Sequence, residues 1–165
     1  MVPERFAPIL SELAPLAERF AAANKRLYLI GGTVRDLLLG DESKPLDQMD
    51  FDATTTARPE ETKNLVAGLA DAVWTQGEKF GTIGLKVGDR VYEITTHRAE
   101  AYHEDSRKPD VEFSDSIEAD LSRRDFTINA MALEVTTNAP VLVDPFNGAV
   151  DLVTRTLRTP LDPRI

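Results

Sequence analysis

A chain of 165 residues with 42% hydrophobic and 28% charged residues can bury one hydrophobic core but is short for two, so a single soluble domain spanning 1–165 is expected. A net charge of −9 argues against a broad phosphate-binding surface, and the absence of cysteine excludes disulfides, thiolate metal sites and cysteine nucleophiles. With only two histidines, any metal must rest mainly on oxygen ligands, which favours magnesium or manganese over zinc; no apolar run spans a bilayer and no signal-peptide layout opens the chain, so the cytoplasm is the default compartment and no membrane partner is expected.

Phe6, Ile9, Leu10, Leu13, Leu16, Ala17 and Phe20 fall on one face of an N-terminal helix within 1–24, which Pro8 and Pro15 are expected to break or kink and Asn24 to end. Leu27 to Ile30 reads as a strand feeding the Gly31-Gly32 turn, and Thr33 to Leu39 as a helix closed by Gly40. Residues 41–49 read as a loop, Met49 to Thr55 as a strand, and Pro59-Glu60-Glu61 as a helix start. Gly88-Asp89 is a two-residue turn whose hairpin pairs Val87 with Arg90, Leu85 with Tyr92 and Ile83 with Ile94 on one face. The other face pairs Lys86 with Val91 and Gly84 with Glu93, so Glu93 lies opposite a missing side chain. Residues 99–114 are charged and read as an irregular, mobile loop; helices are expected from about Ser116 and again near Asp125, and short strands near Leu133 and Val141.

Gly31 and Gly32 between a strand and a helix can bring backbone N–H groups to a phosphate, with Arg35 one turn on, although a glycine pair alone is equally a plain turn. Asp50 and Asp52 alternate along a strand, so both carboxylates share a face while Phe51 and Ala53 point to the core. Such a pair repels itself unless a cation intervenes, which suits a magnesium site; read alone, an Asp-x-Asp is more often a solvated edge. Asp47, three residues from Asp50, is a weaker competitor. Glu93 is a candidate third carboxylate or, equally, an exposed strand residue. Arg123 and Arg124 can clamp a triphosphate, and Asp125 with Asn129 four residues on can meet ribose hydroxyls from one helix face; the alternative is a cap and a salt bridge. His97 and His103 read as ordinary surface or loop residues and Trp74 as core.

Together, Gly31-Gly32-Thr33-Val34-Arg35-Asp36, Asp50-Phe51-Asp52 with Ala57-Arg58-Pro59-Glu60-Glu61, Phe80-Gly81-Thr82, and Arg123-Arg124-Asp125-Phe126-Thr127-Ile128-Asn129-Ala130 resemble the bacterial tRNA nucleotidyltransferase and poly(A) polymerase family from about Leu27 to Asp144. The resemblance implies an α+β, polymerase-beta-like nucleotidyltransferase head in which a mixed, largely antiparallel sheet is flanked by helices, with a catalytic core over 27–158. It implies that Gly32 and Arg35 contact the triphosphate, that Asp50 and Asp52 hold Mg2+ (or Mn2+), and that Arg124 helps hold the nucleotide, with Asp125 and Asn129 near its ribose. Glu93 matches the third carboxylate, and Arg107 lies on the family's flexible loop. The expected activity is addition of CCA to the tRNA 3′ end from CTP and ATP; A addition alone, poly(A) synthesis, or a metal- and nucleotide-binding module without full activity are the alternatives. The family's base-template region and the helical regions that make most of the tRNA contacts are expected outside these residues.

Overall fold

The computed structural model describes residues 4–40, 50–101 and 110–160. A turn of 3-10 helix, Glu4–Phe6, runs into α1 (Ala7–Ala22), whose Ile9, Leu13, Leu16, Ala17 and Phe20 recur at helical spacing and are buried. Pro15 does not break this helix. It sits on the exposed face, where the carbonyl it deprives of a partner is open to water. Asn24, at φ 60°, turns the chain out of α1 into β1 (Leu27–Ile30).

The elements that follow are α2 (Gly32–Leu39), β2 (Phe51–Thr55), α3 (Pro59–Val66), β3 (Ala72–Trp74), β4 (Thr82–Val87), β5 (Arg90–Thr96), β6 (Arg98–Ala101), β7 (Asp110–Phe113), α4 (Ile117–Ser122), β8 (Ala132–Glu134), β9 (Val141–Val143) and α5 (Gly148–Val153). Gly40 closes α2 at φ 69°. The chain opens α3 with Pro59, and Glu61 Oε1 accepts the Arg58 N–H at 3.0 Å. The hairpin of β4 and β5 has the register expected from its turn, down to Gly84 opposite Glu93.

Seven strands form one sheet in the order β3-β4-β5-β2-β1-β8-β9, antiparallel throughout except for the parallel pair β2 and β5. Strand alternation sorts the side chains onto two faces. Leu27, Leu29, Phe51, Ala53, Leu85, Tyr92, Ile94 and Leu133 pack on one face against α1 and α3. Each such fully buried Leu, Ile or Phe contributes roughly 1.5–3 kcal/mol. On the other face Tyr28, Ile30 and Ala132 form a smaller cluster with Ile117 and Leu121 of α4. That second face carries the site.

Three expectations are corrected. The segment 99–114 is not irregular where it is described: β6 and β7 pair as an antiparallel ribbon, while Arg107 and the rest of 102–109 lie outside the described residues, as does the expected loop 41–49 with Asp47. Trp74 is not core but 39% exposed, because β3 is the sheet's edge strand. The helix expected near Asp125 is only a 3-10 turn, Thr127–Asn129. Phe126 is extended, and Thr127 takes its hydrogen bonds from outside, its N–H donating to Arg158 O and its hydroxyl to Asp151. Asp125 and Asn129 therefore share no helix face.

Candidate active site

The antiparallel pairing of β1 with β2 sets Ile30 opposite Asp52, so the chain leaves β1 at the point where β2 begins. Gly31 occupies the turn between β1 and α2 at φ 76°, a conformation that disfavours any side chain. A methyl group added there would lie 3.9 Å from Asp52 Oδ2, so the glycine turn borders the carboxylate directly. A methyl at Gly32, the first residue of α2, would meet an Arg35 guanidinium nitrogen at 3.2 Å. The Arg35 side chain thus folds back along its own helix towards the N-terminus, where free N–H groups favour anions.

The parallel pairing of β2 with β5 places Glu93 beside Asp52, an arrangement that periodicity alone could not reveal. Asp50 is exposed and sits just before β2 rather than within it. Asp52 reaches solvent, yet its carboxyl is held above the ordinary carboxylate range: first by the protein around it, then by the charge of Glu93, and to a lesser degree by Asp50. Arg124 acts in the opposite direction, so its guanidinium is near enough to be felt at Asp52.

Arg124 is itself held. Its Nη2 donates to Asp120 Oδ1 at 2.7 Å, and Asp120, fully buried in α4, also accepts the Arg98 N–H at 2.8 Å and lies 3.8 Å from an Arg123 nitrogen. Asp120 is a positioning residue that residue-by-residue reading overlooked. The signal was present: it precedes Arg123 and Arg124 by three and four positions, the spacing of helical ion pairs. Asn129 reaches the glycine-turn side, its Oδ1 accepting from Arg35 Nη1 at 2.9 Å. Asp125 is exposed and accepts the neighbouring Phe126 N–H at 2.8 Å; no described contact draws it to the carboxylates.

His97, expected as an ordinary surface or loop residue, lies in the link between β5 and β6 but is fully buried there. Its Nδ1 is 2.6 Å from Thr54 Oγ1 and its ring meets Tyr28 at 5.4 Å. Burial lowers its pKa to about 4, so it is neutral at physiological pH. A second overlooked network ties the far end of the arginine motif to the C-terminal segment: Asp151 accepts from Thr127 and, at 3.0 Å, from Arg158 Nε. Asp144 accepts the Gly148 N–H at 2.6 Å.

Among the described residues no three His, Asp or Glu side chains already converge as a metal cage. The donor set nevertheless fits magnesium, which is bound by one or two carboxylates completed by substrate phosphates and water rather than by an all-protein shell. A cation held by Asp50 and Asp52 would also offset the burial, and the charges of Glu93 and Asp50, that raise Asp52. A cleft of about 570 Å³ opens elsewhere, between Lys25, Arg26, Thr56 and Ser116, and holds none of the predicted residues. No helix of the described residues is long and apolar enough to cross a membrane.

The model of the poly A polymerase head domain matches residues 27–158. Over 148 residues the chain is 41% identical to the CCA-adding enzyme of Streptococcus suis (strain 05ZYH33), covering 89% of this chain and 34% of that protein. The crystal structure of the Bacillus stearothermophilus CCA-adding enzyme in complex with CTP is 31% identical, with a TM-score of 0.71 over 96% of this chain and 34% of that one. The Thermotoga maritima CCA-adding enzyme complexed with tRNA_CCA is 28% identical, with a TM-score of 0.69 over 97% of this chain and 34% of that one. The chain thus spans about a third of the length of the relatives it matches. Its mixed, mostly antiparallel sheet flanked by helices is the polymerase-beta-like head of those enzymes, and the chain belongs to the poly A polymerase head domain family.

Proposed function

We propose that this chain is the catalytic head of a CCA-adding tRNA nucleotidyltransferase. The observation that carries the reading is the line formed by the Gly31 turn, Asp52 and Glu93, with Arg35 at the turn and Arg124 close enough to act on the Asp52 charge. The Gly32 N-terminus of α2 and Arg35 bind the triphosphate of CTP or ATP, and Arg124, steadied by Asp120, neutralises charge on the same group. Asn129 holds Arg35 in place and faces the nucleotide ribose. Asp50 and Asp52 hold magnesium, and Glu93 receives or orients the proton of the attacking tRNA 3′-hydroxyl. When bound, magnesium supplies Lewis acidity for in-line attack on the α-phosphate with loss of pyrophosphate. The tRNA body is held mainly by regions beyond this head, in keeping with the acidic balance of the chain.

The test is incubation with magnesium, labelled CTP or ATP, and a tRNA lacking its 3′ CCA. Incorporation of both nucleotides in CCA order supports the reading, and incorporation of ATP alone points to an A-adding or poly(A)-forming enzyme. Magnesium-dependent nucleotide binding without incorporation makes the isolated head a binding module. Absence of magnesium-dependent CTP or ATP binding overturns the assignment.

A further inference from the structure

The strand registers place five positions in one lateral row on the second face of the sheet, which is covered by the α4 cluster at Ile30 and open from Asp52 to Trp74. Ile30 pairs with Asp52, Asp52 with Glu93, Glu93 with Gly84, and Gly84 with Trp74. Paired residues share a face, so Trp74 stands on the same surface as the carboxylates, two strands beyond Glu93 or roughly 10 Å away. Its ring is not splayed outward. A methyl group added at Gly84 would lie 3.2 Å from Trp74 Cε3 and 3.9 Å from Cδ2, so the indole leans over the glycine towards Glu93. Trp74 is 39% exposed, and no side chain stands between it and Glu93 in the row. The Thr82 and Thr95 hydroxyls, 2.9 Å apart, occupy the adjacent row of this face.

The two ends of the row differ in chemistry. The β1 end holds the Gly31 turn and Arg35, groups suited to a triphosphate, whereas the β3 end holds an aromatic ring, with hydroxyls in one adjacent row and the single cation Lys86 in the other. In-line transfer requires the attacking hydroxyl to arrive from the side opposite the leaving pyrophosphate. With the pyrophosphate at the β1 end, the attacking RNA end must come from the β3 end. An exposed aromatic ring about one nucleoside away from the carboxylates is what a single-stranded base stacks on.

We propose that Trp74 is the stacking platform for the terminal base of the RNA whose 3′-hydroxyl is extended, with Gly84 as the notch that admits it. The proposal rests on the nucleotidyl-transfer reading of Asp52 and adds a positioning site for the acceptor strand.

Trp74 is the one tryptophan of the chain, so its fluorescence reports on the site directly. The chain is titrated with the RNA trinucleotide ACC and, separately, with CTP and ATP in magnesium. Saturable quenching by ACC at millimolar concentration or below, with none by CTP or ATP, is expected. Loss of the stack in Trp74→Ala should weaken binding of 5′-labelled ACC roughly five- to hundredfold, with substantial recovery in Trp74→Phe. Gly84→Ala, which displaces the ring without removing it, should weaken ACC binding while leaving nucleotide binding unchanged. Quenching by CTP or ATP alone, no saturable quenching by ACC, or equal ACC affinity in Trp74→Ala would each overturn the proposal. Circular dichroism confirms the fold of each variant, an undemanding condition at a half-exposed edge strand. Asp52→Asn separates the two readings. If it abolishes magnesium-dependent nucleotide binding while ACC leaves Trp74 unquenched, only the stacking proposal fails; if nucleotide binding is untouched, the site reading beneath it fails.

Discussion

Arg35 Nη1 donates to Asn129 Oδ1 at 2.9 Å across 94 residues of sequence, joining the glycine-turn motif to the arginine motif. The Arg35 Nε also meets Asp36 Oδ1 at 3.2 Å, so two acceptors fix the guanidinium over the start of α2. Asn129→Ala should therefore weaken CTP binding through a freed Arg35 as well as through the lost ribose contact, and the coupling to Arg35 isolates the first of these. A double-mutant cycle with Arg35→Ala, read by calorimetry, should give a coupling of about 0.5–3 kcal/mol, and additive effects would separate the two residues functionally.

The elevated pKa of Asp52 makes a signed prediction for the metal-free chain. Folded Asp52 keeps its proton to higher pH than unfolded Asp52, so the folded state binds more protons between the two values. Stability then falls as pH rises through that window, and the penalty persists above it. Asp52→Asn should raise the melting temperature at pH 7 without metal, and the gain should vanish as the solution is acidified. Magnesium should raise the melting temperature of the native chain and leave that of the variant nearly unchanged.

His97 works in the opposite direction. Its pKa falls from 6.5 to about 4 because burial disfavours the cation, with Arg124 and Arg58 adding to the effect and Asp120 and Asp115 opposing it. The contribution is complete above pH 6.5 and is lost as pH falls towards 4, by at most about 3 kcal/mol. Urea denaturation of the native chain and of His97→Gln at pH 7 and pH 5 should show a steeper acid loss in the native chain. Parallel losses in both would place the acid sensitivity elsewhere.

Gly148 opens α5 against the Thr127 carbonyl oxygen, with which any Cβ would collide, and its N–H is taken by Asp144. Neither the carbonyl nor the helix can shift without disturbing the Thr127, Asp151 and Arg158 network. Gly148→Ala should cost about 3 kcal/mol or more in urea denaturation, or prevent folding. Gly88→Ala, where a Cβ meets nothing within 4 Å and only the φ of 61° is unfavourable, should cost nearer 1 kcal/mol.

Asp120 is a buried carboxylate with Arg124 and the Arg98 N–H as donors. Asp120→Ala leaves an arginine without its counter-charge, and a loss of about 3–5 kcal/mol in thermal or urea unfolding is expected. Asp120→Asn keeps an acceptor for the Arg98 N–H and should lose less, while raising KM for CTP in the active protein because Arg124 is no longer fixed.

Local chemistry determined much of this molecule. The helical spacing of Ile9 to Phe20, the Gly31-Gly32 turn, the start of α3 at Pro59 and the register of the Gly88-Asp89 hairpin all arise from steric and hydrophobic rules acting within a few residues. The same rules placed Asp52 and Glu93 on exposed strand faces. They could not bring the two together, because the β2 and β5 pairing is a long-range choice made when the sheet assembles. Nor could they show that His97 is buried, that Asp120 anchors Arg124, or that Trp74 lies at an edge in line with the carboxylates. Each of those depends on which strand neighbours which and on what α4 covers. The residue types and their spacing carried the chemistry of the site; only the tertiary structure decided which charges meet, which are buried, and where an acceptor strand can lie.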